Sequence, residues 1–194
     1  ISGLITGTSV ALVKSGLGTL ILSNANSTYS GGTTISAGVI QTTADSTGSA
    51  GSVSKGPLGT ASVSVDGGML DLYGSTLANA VSLSGTGNSS SGALANSNTL
   101  TAGTVNGAVT LAADASIGGA GNFTINGSIS GAHQLTFNQS GAVTLSVSNS
   151  YSGGTIINSG TVNLGNGSAL PANKDVTING GTLDIKGQTI SIGN

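Results

Sequence analysis

One pattern returns along this chain at a nearly constant interval: a glycine, any residue, an apolar residue, a polar residue and usually a second apolar one. It reads GTLIL from Gly18, GVIQT from Gly38, GMLDL from Gly68, GNFTI from Gly121, GAVTL from Gly141, GTVNL from Gly160 and GTLDI from Gly181. A looser copy, GTVNG, starts at Gly103. Where copies follow one another directly, their starts lie about 20 residues apart. Self-similarity at such a period marks a stack of structural repeats. Apolar–polar alternation belongs to a strand with one face in a core, and a strand this short is not stable alone. Stacked one above another at about 4.8 Å, such strands bury a continuous interior. A turn of this length has room for three short strands and three corners. The expected fold is an all-β solenoid with three strands per turn.

The alternation also assigns faces. Leu20, Ile40, Leu70, Phe123, Val143, Val162 and Leu183 are expected to be buried and to line one sheet. Leu22, Leu72, Ile125, Leu145, Leu164 and Ile185 point inward beside them, while Ile21, Asp71, Thr124, Thr144, Asn163 and Asp184 point out. Two stretches break the period, 44–55 and 86–98, and read as loops protruding from a single solenoid that occupies 1–194. Apolar residues at Ile1, Leu4 and Ile5 and in the final TISIG run carry no polar cap, so end-to-end association is expected.

Charged residues make up 5% of the chain, against roughly a quarter in an ordinary soluble domain. With 34 glycines, that balance would suit disorder, but 37% of the residues are hydrophobic and lie in short alternating pieces. The cations Lys14, Lys55, Lys174 and Lys186 are scattered, and there is no arginine. No basic stripe exists for phosphates, so nucleic acid is not an expected partner. No run of apolar residues is long enough to cross a bilayer as a helix, so no membrane insertion of this segment is expected. Without cysteine, the core and the backbone ladder must hold the fold.

The search for reactive chemistry finds little. His133, the only histidine, sits in a glycine-rich turn with no GDSGG-like or G-x-S-x-G nucleophile context elsewhere. One histidine and no cysteine do not make a zinc site. The run Gly118-Gly119-Ala120-Gly121-Asn122 has the glycines of a calcium-binding solenoid repeat without its aspartate. Polysaccharide-cleaving β-helices use paired carboxylates, and Asp66, Asp71, Asp175 and Asp184 are the candidates here, unaccompanied by arginine or an aromatic platform. The expectation is no enzyme, no catalytic residue, no metal and no cofactor.

The most specific motif is a repeated pentapeptide, YSGGT. It occupies Tyr29, Ser30, Gly31, Gly32 and Thr33, and again Tyr151, Ser152, Gly153, Gly154 and Thr155. Exposed tyrosines here would stack on sugars; the simpler reading is that each ring packs over the Gly-Gly corner that follows it. The longer runs GTLILSNANSTYSGGTTISAG and GAVTLSVSNSYSGGTIINSGTVNL resemble the passenger-associated transport repeat of bacterial autotransporters. The intervening Ile117–Phe137 stretch is similar to the turns that link such repeats. The resemblance implies a right-handed parallel β-helix, part of a longer passenger that is exported through periplasm and outer membrane to the surface of a Gram-negative cell. It implies the passenger's own outer-membrane translocator barrel as partner, and repeats that aid secretion and folding. Whole proteins of this kind are mostly adhesins, self-association factors or toxins. The expected role is therefore a structural stalk in adhesion, towards a host or surface ligand, or in self-association. A toxin or enzyme scaffold and a polysaccharide-cleaving β-helix are the alternatives.

Overall fold

Strands of two to five residues dominate the chain, because each apolar–polar alternation is cut short by glycine, serine or asparagine before it lengthens. A computed structural model describes residues 1–193. Apart from one 3₁₀ turn at Asn88–Ser90 and an antiparallel hairpin formed by Thr47–Ser49 and Ser52–Lys55, the described elements are strands paired in parallel. Pairing is with the strand one turn away, as the period requires, and the result is a β-solenoid of about nine turns.

Three faces can be followed along the axis. On the first, Leu12–Lys14 pairs with Thr33–Ile35, then Val63–Asp66, Val81–Gly85, the start of Val109–Gly118 and Ile129–Ser130. The second runs Thr19–Leu22, Val39–Thr42, Met69–Asp71, Leu94–Ala95, the end of Val109–Gly118, Leu135–Phe137, Thr155–Ile157 and Val176–Ile178. The third runs Thr76–Leu77, Gly103–Val105, Phe123–Ile125, Ala142–Leu145, Thr161–Leu164 and Thr182–Asp184. Val109–Gly118 bends from the first face to the second without a break, which joins those two faces into one sheet.

The interior is a continuous apolar stack. Ile40, Leu70, Phe123, Val143 and Val162 are fully buried, whereas Leu20 and Leu183, near the two ends of the stack, are half-buried. One expectation needs correction. The seven residues do not line a single sheet: Leu20, Ile40 and Leu70 stand on the second face, while Phe123, Val143, Val162 and Leu183 stand on the third. The glycine-led pattern marks a local strand entry, and that entry occurs at more than one corner of the turn.

The period-breaking stretches also take definite form. Residues 44–55 leave the wall as the antiparallel hairpin, which folds back onto the next turn: the Ser46 amide donates to the Thr76 carbonyl at 3.0 Å and the Gly51 amide to the Ala78 carbonyl at 2.8 Å. The expected loop over 86–98 is divided, because Ala93, Leu94, Ala95 and Asn96 are buried and rejoin the second face. What remains outside is a short excursion before them and another just after.

Candidate functional site

The two YSGGT runs build the same corner. Tyr29 and Tyr151 are completely buried, and each phenol hydroxyl lies 2.7 Å from the hydroxyl of the threonine four residues on, Thr33 or Thr155. Thr33 passes the bond on, donating to the Leu58 carbonyl at 3.1 Å. Burial raises the pKa of both phenols, to about 12 for Tyr151, and the threonine bond pulls the other way. The glycines divide the remaining work. A Cβ on Gly31 would stand 2.6–2.7 Å from the backbone of residues 9–11, and one on Gly153 would collide with the backbone of His133 and Gln134. Gly32 and Gly154 take φ of +87° and +85°, in the left-handed region. Ser30 and Gly31, and likewise Ser152 and Gly153, are the exposed members.

The tyrosines thus fill the interior and offer nothing to a sugar outside it. The ring of Tyr29 packs against a glycine of the following turn: a Cβ on Gly59 would lie 2.9 Å from Cδ2 and Cε2 of the ring. Outside the second corner lies an open hollow of about 270 Å³ lined by Ser152, Gly153, Gly154, Asn173, Lys174 and Asp175.

Asp184 and Asp114 each engage a partner of their own. Asp184 is paired with Lys186 at 2.7 Å on the surface, and that neighbour lowers its pKa. His133 Nδ1 stands 3.6 Å from Asp114, which also accepts from the Gln134 amide at 2.9 Å; both side chains are open to solvent. No cluster of three or more potential metal ligands occurs among the described residues, and no helix there is long and apolar enough to cross a membrane.

Asp71 corrects a second expectation. Its position alternates outward, as the pattern requires, yet the residue is 2% exposed. The segment after Leu94–Ala95 closes over it: the Ser97 amide and hydroxyl donate to the carboxylate at 2.9 and 2.6 Å, Gln41 Nε2 at 2.8 Å and the Tyr73 amide at 3.1 Å. Beside it the buried Asn96 accepts from the Gly74 amide and donates to the carbonyls of Thr101 and Asn122. Sequence reasoning missed this pair and the corner it holds. The available signal was the Asn96-Ser97-Asn98 run, since asparagine and serine side chains close turns on the backbone.

On the outside, the walls carry rungs of uncharged polar side chains. Thr34, Ser64, Ser82, Thr110 and Ser130 stand in register on the first face, and Thr76, Thr104, Thr124 and Thr144 on the third. At one corner Asn138, Asn158 and Asn179 are linked amide to amide at 2.8 Å per step.

A parallel solenoid whose repeated pentapeptide is consumed by its own corners is a structural repeat scaffold. Residues 12–41 and 135–164 each match the family model of the passenger-associated-transport-repeat. None of the curated proteins and none of the solved structures compared with the chain matches it. The matched copies sit differently in the solenoid. The strands of the first occupy the first and second faces, and those of the second occupy the second and third. Equivalent residues of the two copies are therefore rotated by one face about the axis.

Proposed function

We propose that this chain is a stiff stalk segment of a surface-displayed autotransporter passenger of a Gram-negative bacterium, acting in adhesion or self-association and not in catalysis. Its partners are the translocator barrel of its own passenger and a surface ligand or neighbouring passenger. The observation that carries the reading is where the motif residues point. Tyr29, Thr33, Tyr151 and Thr155 are all buried, so the repeat shapes the wall and leaves contact to the uncharged outer rungs. Those rungs suit hydrogen-bonded contact with little like-charge repulsion, because hydroxyl and amide groups both donate and accept. The repeats aid secretion by giving the emerging chain corners that close locally.

Display of the chain on a Gram-negative host through a heterologous translocator barrel tests this. Displaying cells are expected to settle faster in still culture, or to attach better to abiotic and host surfaces, than cells displaying an unrelated solenoid at equal density. Equal settling together with equal attachment would refute the adhesive and self-associating role.

A further inference from the structure

Between Leu22 and Thr177, only two large hydrophobic side chains are exposed among the described residues: Tyr73, at 45%, and Leu100, at 95%. They are far apart in sequence but lie on successive turns at the corner between the second and third faces. There the two backbone segments are tied together. Asn98 Nδ2 donates to the Tyr73 carbonyl at 3.3 Å, and the neighbouring Gly74 amide donates to Asn96 Oδ1 at 2.9 Å.

Both residues are held where they stand. Tyr73 has φ +45°, a left-handed conformation that is strained for a bulky residue. Its amide is pinned by the buried Asp71 carboxylate, which also fixes Ser97. Asn98 Oδ1 accepts from the amides of Leu100 and Thr101 at 2.9 and 3.1 Å, which shapes the tip of the loop. None of these bonds belongs to the strand ladder. Together they orient one aromatic ring and one leucine toward solvent.

We propose that this corner binds a neutral glycan, with the Tyr73 ring stacked on the apolar face of a pyranose, Leu100 beside it, and Ser97, Asn98 and Thr99 supplying hydroxyl and amide partners. Charge selects the ligand class. Asp71 is buried and saturated with donors, no lysine lies between Lys55 and Lys174, and the exposed Asp45, which accepts from the Thr76 amide at 2.7 Å, adds one negative charge near the corner, so the corner offers no cation to an anionic ligand. An aromatic face flanked by hydroxyl and amide groups suits a sugar ring, which carries an apolar face and hydroxyls that both donate and accept. The inference rests on the adhesive reading only in giving it a ligand class.

The test uses the purified chain and saturation-transfer NMR with three probes: maltohexaose, cellohexaose and chitohexaose, each at millimolar concentration. At least one should bind, and both Tyr73→Gly and Leu100→Ser should weaken it, the first by about tenfold, the scale of a lost ring contact. Tyr73→Gly also relieves the backbone, so circular dichroism and melting should show a fold at least as stable as the parent. No transfer to any probe, or binding indifferent to both substitutions, overturns the proposal. So does a concentration-dependent dimer that Leu100→Ser abolishes, since the patch would then serve a second copy. Glycan binding by the purified chain with no attachment of displaying cells would sink the adhesive role and leave this site standing.

Discussion

A phenol hydroxyl inside an apolar stack needs a partner on the spot, and in both copies of the pentapeptide the threonine four residues on supplies it. The arrangement has a pH signature. An unfolded tyrosine ionises near pH 10, whereas Tyr151 is pushed up to about 12. The folded state therefore holds the proton after the unfolded state has lost it, so this contribution is complete below about pH 10 and is lost as pH rises toward about 12. Urea midpoints should fall across that window, and Tyr151→Phe should flatten the fall while costing about 1 kcal/mol at neutral pH through the orphaned Thr155 hydroxyl. The two aspartates of alternating position should part company. Asp71→Ala strands four donors in a buried corner and should cost about 2–4 kcal/mol in chemical denaturation. Asp184→Asn, at an exposed ion pair, should leave the denaturation midpoint essentially unchanged. Equal losses at the two sites would contradict their different burial. The pentapeptide was legible in the sequence because its spacing is strictly local. The burial of Asp71 was not, because it depends on a segment one turn later that pattern reading assigned to a loop.

At the scale of the element, the inward and outward sides of each strand follow from alternation alone. In Ala142–Leu145, Val143 and Leu145 are buried while Thr144 is partly exposed. Val143→Asp should unfold the chain or cost several kcal/mol, since a carboxylate there has neither water nor a partner. Thr144→Asp should be tolerated within about 1 kcal/mol, as an outward wall position. Circular dichroism melts of the two variants check the assignment, and a larger loss at Thr144 would reverse it. What the alternation does not carry is which face a strand joins. The step from Gly68 to Gly103 spans a full turn, both excursions around Leu94–Ala95 and one additional corner, so the pattern resumes one face further round. Excursions of this kind show as breaks in the period without telling how many corners the chain has passed, which is why the expected single stack is split across two sheets.

For the whole molecule, charge is almost absent from the accounting. With four lysines and six aspartates in 194 residues, and surface pairs such as Asp184–Lys186 contributing little, the wall is held by its apolar interior and its backbone ladder. That leaves the outer surface free to vary, and the face offset between the two repeat copies shows one way it varies. Because a corner of this type closes at two different edges of the wall, the unit of growth need not be a whole coil. Recombination between two copies in a gene would add or remove sequence that is not a whole number of coils, and the product would still seal its wall. Everything beyond the junction would then turn to a new compass bearing. A passenger built this way can redirect its side-chain displays around the shaft through changes in length alone, with no substitution at the displays themselves.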